Sequence, residues 1–158
     1  MTPKIPISAR LFVLLAQSAP VGVILRRGPG EWTQLIKWRT DSDTFEAGQW
    51  IKGNIFNYCT DLSPDGKLFL YVVQKWANKL YNPDVGDLWL AISKPPYFTA
   101  LGLIPNCKGG YFIDPATILL YDHGSGYPQN SIGNLNVAYG APNLRLFPYG
   151  DAFFESHG

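Results

Sequence analysis

The residues best suited to catalysis lie around one of the two histidines, His123 and His157. Asp122 precedes His123, and a histidine beside a carboxylate can act as a general base near neutral pH. Asp114 can add a second carboxylate, so the alternative function is a small hydrolase or nuclease with a site near Asp114, Asp122 and His123. A single histidine in a glycine-rich turn is more often structural, and we therefore favour a non-catalytic role.

Other catalytic and cofactor-binding patterns do not occur in the sequence. No Cys/His cluster has zinc-ligand spacing, and no Gly-x-Ser-x-Gly motif is present. Gly28-Pro29-Gly30 lacks the Lys-Ser/Thr that follows in a phosphate-binding loop. Cys59 and Cys107 favour two free thiols in the cytoplasm over a disulfide. The sequence thus predicts no metal and no cofactor.

Basic and aromatic side chains are the candidates for binding. Five cations would cluster if the strands pair in chain order, and they could bind an acidic partner or a phosphate. They are Arg26, Arg27, Lys37, Arg39 and Lys52. Acidic residues nearby, such as Asp41 and Glu46, can neutralise them, so a solvated face is the favoured interpretation. The predicted binding residues are Arg26, Arg27, Lys37, Arg39, Trp50, Tyr149, Phe153 and Phe154.

Composition favours one globular domain that contacts another protein. The 158 residues are 46% hydrophobic and 15% aromatic, which is enough to fill a core. Charged residues make up only 16%, so more of the surface is neutral and available for protein contact. A net charge of +1 argues against nucleic acid, and no apolar run is long enough to cross a membrane.

The segment from Cys59 to Val73 gives the clearest structural signal. Ser63-Pro64-Asp65-Gly66 predicts a tight turn, with Gly66 at positive φ. The strand that follows is apolar at both odd and even positions, which predicts an inner strand with both faces covered.

Period-2 alternation predicts further strands along most of the chain. The apolar run 11–16 is expected to be a core strand, and residues 21–27 and 32–38 a hairpin. Residues 74–80 could form a short helical turn. The other predicted strands are 44–52, 54–60, 87–93 and 97–103.

A weak internal repeat places Tyr71 and Tyr121 a blade-sized distance apart, each at the end of an apolar strand. A chain of this length is too short for a closed propeller, so the repeat predicts an oligomer, a partner or a compact sandwich or barrel. We expect a β-rich domain over residues 1–123. The aromatic-, Gly- and Pro-rich residues 124–158 are expected to form an irregular arm that packs on this domain or on a neighbour.

Six short motifs carry a family resemblance. They are residues 9–12 (ARLF), 23–29 (VILRRGP), 35–38 (LIKW), 45–50 (FEAGQW), 61–66 (DLSPDG) and 93–101 (SKPPYFTAL). Together they resemble an uncharacterised bacterial protein family with propeller-like blade turns. The resemblance implies blade-like hairpins and a cytoplasmic setting, and it transfers no catalytic residue.

The sequence therefore predicts an all-β fold of antiparallel hairpins, in propeller-like blades or a compact sandwich or barrel, with little helix. The favoured function is a non-catalytic protein-protein interaction module or a subunit of a larger assembly.

Overall fold

The computed structural model describes residues 9–28, 30–74, 88–123, 131–132 and 134–140. These residues form thirteen strands in three sheets, and their only helical element is the 3-10 turn Asn57–Cys59. The predicted all-β class with little helix is confirmed. No helix in this part of the chain is long and apolar enough to cross a membrane.

The first sheet is an antiparallel meander of four strands. They are β1 (Arg10–Leu15), β2 (Val21–Arg27), β3 (Trp32–Arg39) and β4 (Thr44–Lys52), and they lie side by side in chain order. The predicted hairpin over residues 21–38 is confirmed as β2 and β3. A register shift between β3 and β4 allows Gly48 to approach the next sheet closely.

The middle sheet is built around two long, buried strands. Its strands are β5 (Asn54–Ile55), β6 (Asp61–Leu62), β7 (Phe69–Gln74), β8 (Leu88–Ser93) and β9 (Ala100–Pro105). Both β5 and β6 pair with β7, and all pairs are antiparallel. The strand predicted over residues 54–60 is therefore confined to its first two residues, and a 3-10 turn follows.

The third sheet begins with the hairpin of β10 (Cys107–Asp114) and β11 (Thr117–His123). Two later strands complete it, β12 (Ser131–Ile132) and β13 (Leu135–Tyr139), in the order β10-β11-β13-β12. Since β13 runs parallel to β11, the fold is not antiparallel throughout. The described residues after 123 thus join the third sheet.

The three sheets stack, with the middle sheet between the other two. Phe69, Tyr71 and Val73 of β7 enter one core, shared with Val23, Leu25 and Leu35 of the first sheet. Leu70 and Val72 enter a second core, shared with Phe112, Ile118 and Leu120 of the third sheet. Both faces of β7 are covered, as its apolar pattern predicted.

The Ser63–Gly66 turn has the predicted geometry. Gly66 has φ +71°, and its N–H donates to the Ser63 carbonyl at 2.8 Å. The Ser63 hydroxyl donates to the Asp65 carboxylate at 2.7 Å. The turn also contacts the β1–β2 connection, because the Ser18 N–H and hydroxyl both donate to the Pro64 carbonyl. It therefore links the middle sheet to the first.

Candidate functional site

The register separates the predicted catalytic residues. Asp114 pairs with Thr117 at the turn end of the β10–β11 hairpin, whereas His123 pairs with Cys107 at the other end. Six residues of strand, at about 3.3 Å each, put these backbone positions about 20 Å apart. The Asp114 carboxylate accepts the Ala116 N–H at 2.7 Å, which stabilises the turn. The structure therefore does not bring Asp114 to Asp122 and His123.

No group of acidic, His or Cys side chains suited to a metal ion occurs among the described residues. Cys107 is buried in the second core, and the partly buried Cys59 packs against it.

The predicted basic cluster does not form. The strands pair in chain order, but side chains alternate between the two faces of a sheet, which separates Arg26 from Arg27 and Lys37. Arg27 lies opposite Thr33 and donates to Asn54 at 3.1 Å, while Arg39 lies at the far end of β3. The prediction of one cationic group is therefore corrected to separate positions.

Arg39 is neutralised locally. Its guanidinium forms a 3.0 Å ion pair with Asp41, and this hydrogen bond raises the pKa of Arg39 and lowers that of Asp41. Both side chains are exposed, so the pair is of little energetic value.

Two predicted binding residues do come together on the first sheet. The guanidinium of Arg26 lies over the Trp50 ring, 5.6 Å from its centroid, although the residues are on β2 and β4. Gln34 of β3 lies between them in the register. A cation over an indole face is attracted by the ring quadrupole, so this contact holds Arg26 across the sheet.

These residues belong to the side of the first sheet that faces away from the middle sheet, which we call the outer face. The register arranges it in three rows across the four strands. The basic row is Leu11, Arg26, Gln34 and Trp50; the central row is Val13, Ile24, Ile36 and Ala47; the aromatic row is Leu15, Gly22, Trp38 and Phe45.

The outer face is apolar and open to solvent. The exposed fractions are 64% for Leu11, 45% for Val13, 59% for Leu15, 56% for Phe45 and 41% for Trp50. Arg26 is the only charged residue of these three rows; Lys52 lies on the same face beyond the basic row, paired with Trp32. Gln34 is nearly buried, with its amide directed to the Gly48 carbonyl at 3.4 Å. Contiguous exposed apolar patches on soluble proteins mark contact sites.

Local packing keeps the aromatic row flat. The rings of Trp38 and Phe45 stack with centroids 5.7 Å apart and planes 15° apart. The Trp38 indole N–H donates to Asp43 at 3.0 Å. Gly22 has no side chain to raise the surface, and a Cβ there would lie 2.9 Å from Leu15. The row therefore presents a low, preformed surface.

The middle sheet positions the outer face from behind. Gln49 of β4 points the other way, and its side-chain oxygen accepts the N–H groups of Phe98 and Thr99 at 2.8 and 3.2 Å. Gly48 is required because a Cβ would lie 1.9 Å from the Pro96 carbonyl oxygen. Strand β4 thus lies close against residues 94–99, the loop between β8 and β9. This contact fixes the position of Trp50 at one end of the basic row.

Sequence reasoning missed most of the outer face. The segment 11–16 was expected to be a core strand, but only Phe12, Leu14 and Ala16 contact the core. Leu11, Val13 and Leu15 are exposed. The available signal was that β1 and β2 have apolar residues at both odd and even positions, as β7 does. Of the other predicted binding residues, Tyr149, Phe153 and Phe154 lie outside the described residues, as does most of the predicted helical turn at 74–80.

Comparison with known proteins adds no constraint. The chain matches no protein-family model, no curated protein and no solved structure. The resemblance to a blade-motif family therefore stays a prediction.

Proposed function

We propose that the chain is a non-catalytic protein-protein interaction module, or a subunit of a larger assembly, and that it binds its partner through the outer face. The observation that carries the proposal is the apolar, solvent-exposed surface of four paired strands, with one charged residue in three rows. Covering such a surface is favourable by about 25 cal/mol for each Å² of apolar area removed from water.

The partner surface best suited to the outer face is the apolar face of another β-sheet. The opposite side of the same strands is already covered in this way, by Phe69, Tyr71 and Val73 of the middle sheet. Sheets pack face to face about 10 Å apart when both present flat rows of apolar side chains. A carboxylate near Arg26 completes the expected partner surface, because a cation in a contact needs an opposite charge.

Two finer expectations belong to this proposal. Three stacked sheets support an array of propeller-like blades, in which each sheet is one blade and the outer face is where a further sheet would pack. A cytoplasmic location is the second expectation, in keeping with a chain of 158 residues that has only two cysteines.

Site-specific photocrosslinking tests the proposal. A photoreactive phenylalanine replaces Phe45 on the outer face or, as a control of the same chemistry, Tyr97, which is 49% exposed in a loop of the middle sheet. The two proteins are irradiated both when purified and in an extract of the source cells.

We expect the Phe45 probe, and not the Tyr97 probe, to crosslink to a polypeptide whose contact surface maps to a β-sheet. Val13→Glu in the central row should abolish the crosslink. Equal crosslinking from both probes, or none from Phe45, would refute the outer face as a binding surface.

A further inference from the structure

We propose that the outer face binds the outer face of a second copy of this chain, forming a two-fold symmetric dimer. This inference rests on the proposed function and names the partner. It follows from the order of the rows and from the positions of the charges at the two ends of the first sheet.

The rows have the composition of an interface with an apolar centre. The central and aromatic rows contain no charged residue, and Arg26 is in the basic row at one end. Asp43 lies at the other end, beside Trp38 and at the turn between β3 and β4. Protein interfaces have apolar centres with polar groups at the rim, which is the arrangement seen along this face.

A two-fold axis between two stacked sheets can run along the strands or across them. An axis along the strands would put the basic row of one copy over the basic row of the other, so that both Arg26 side chains lie in the same row without a carboxylate. Like charges brought together in a contact disfavour association. An axis across the strands reverses the strand direction in the second copy and opposes unlike rows.

On β3, Lys37 lies midway between Ile36 of the central row and Trp38 of the aromatic row. If the axis crosses the strands at this level, the central row of each copy packs on the aromatic row of the other. The same operation places the basic row over the 40–43 turn of the second copy. Arg26 already reaches across the sheet to the Trp50 ring on β4, and Asp43 lies on the β3–β4 side. The symmetric contact therefore contains two Arg26–Asp43 pairs, one from each copy, and isologous symmetry requires both.

The contact area predicts a weak dimer. Four strands about 4.8 Å apart span about 19 Å, and six residue steps along them span about 20 Å. The resulting footprint of about 400 Å² per copy, or about 800 Å² in total, is the size of a weak, transient interface, so we expect a dissociation constant of about ten to a hundred micromolar.

The first test is sedimentation equilibrium of the purified chain over low to high micromolar concentrations. Val13→Glu places a carboxylate in the central row of each copy and should weaken dimerisation by at least about tenfold. Ile113→Glu is the matched control, since Ile113 has a similar exposure, 51%, but lies on the third sheet. It should leave the dimer unchanged.

The second test exchanges the charges. Arg26→Glu and Asp43→Lys should each weaken self-association, because each creates two like-charge pairs in the dimer. An equimolar mixture of the two variants should associate again, since both pairs are then of opposite charge. Recovery on mixing would identify residues 26 and 43 as contact partners, and a complex that stops at two chains in sedimentation would show that the contact is two-fold.

The folding of each variant is checked by circular dichroism. Asp43 has φ +51°, which suits asparagine better than lysine. If Asp43→Lys is unfolded, Asp43→Asn replaces it and should weaken the dimer by a smaller factor.

Three results would overturn the inference. One is a chain that stays monomeric at high micromolar concentration. Another is a dimer that resists Val13→Glu but dissociates when residues 141–158 are removed, which would make that segment the occupant. The third is Phe45 crosslinking only to a different polypeptide, which would support the proposed function and exclude the second copy.

Discussion

The first and middle sheets have strands of the same character but different surroundings. Strand β7 is apolar at consecutive positions, and both its faces are buried between neighbouring sheets. Strand β1 is equally apolar, yet Leu14 packs on the core while Leu15 is exposed. An apolar pattern on both faces of a strand thus indicates that both faces are buried against another surface. It does not say whether the same chain supplies it.

The largest expected effect comes from truncating a leucine in each environment. Leu70→Ala removes a fully buried side chain of β7 and should lower the free energy of unfolding by about 2–5 kcal/mol. Leu11→Ala, on the exposed outer face, should change it by less than about 0.5 kcal/mol. Urea denaturation of dilute, monomeric protein measures both.

A Leu11→Ala cost comparable to that of Leu70→Ala in dilute protein would contradict the comparison. It would mean that the outer face is covered within one copy.

The sequence predicted the parts of the fold that local chemistry determines. The Ser63–Gly66 turn, the β2–β3 hairpin and the two-faced burial of β7 follow from residue types a few positions apart. The register shift between Gln34 and Ile36 and the parallel pairing of β13 with β11 depend on contacts between distant segments. No local pattern predicted them.

The candidate surface was harder to predict for the same reason. Arg26 and Trp50 were both named as binding residues, but their contact crosses three strands and depends on the β3–β4 register. Arg27 and Lys37 were grouped with Arg26 on the expectation that the strands pair in chain order. Alternation in a sheet puts them on the opposite face.

The contact between the first and middle sheets and the contact between the middle and third sheets also differ in the charge of the side chain that connects them. A neutral amide, Gln49, links the first and middle sheets, whereas Asp61 links the middle and third. The Asp61 carboxylate accepts the N–H groups of Leu62 and Phe112 at 2.9 and 2.7 Å. Burial raises the pKa of Asp61, and these two hydrogen bonds oppose that rise.

Asp61→Ala should therefore destabilise by about 3 kcal/mol, because two backbone donors lose a charged acceptor. Asp61→Asn should recover only part of this loss, since its amide keeps one acceptor oxygen and turns an N–H towards the other donor. Thermal denaturation of the three proteins compares them. Full stability of the alanine variant would show that water replaces the carboxylate at this junction.

A smaller loss of stability is expected from a substitution in the Ser63–Gly66 turn, which contacts the first sheet. Gly30 provides the control position. Gly66 and Gly30 both have positive φ, +71° and +63°. A Cβ at Gly66 would lie 2.7 Å from Val21, whereas nothing lies within 4 Å of one at Gly30. Gly66→Val should cost roughly 1–3 kcal/mol.

Gly30→Val carries the backbone cost without the clash, so it should be less destabilising than Gly66→Val. Equal losses in urea denaturation would assign the whole effect to backbone strain. A Gly66→Val change below about 0.5 kcal/mol would show that the turn relaxes away from Val21.

The smallest expected loss of stability comes from removing the Tyr71 hydroxyl, which lies in the core shared by the first and middle sheets. The buried Tyr71 hydroxyl donates to the Phe98 carbonyl, and burial raises the pKa of Tyr71 from 10.0 to about 12. Tyr71→Phe should cost about 1 kcal/mol at neutral pH, the usual net value of one hydrogen bond.

Between pH 10 and about 12 the unfolded chain releases the Tyr71 proton while the folded protein retains it, so the wild type loses stability as the pH rises. The phenylalanine variant lacks this loss, and its deficit should shrink across that window in urea denaturation at stepped pH. A constant deficit would mean that Tyr71 ionises as readily in the folded protein as in the unfolded chain, which is incompatible with a sealed core behind the first sheet.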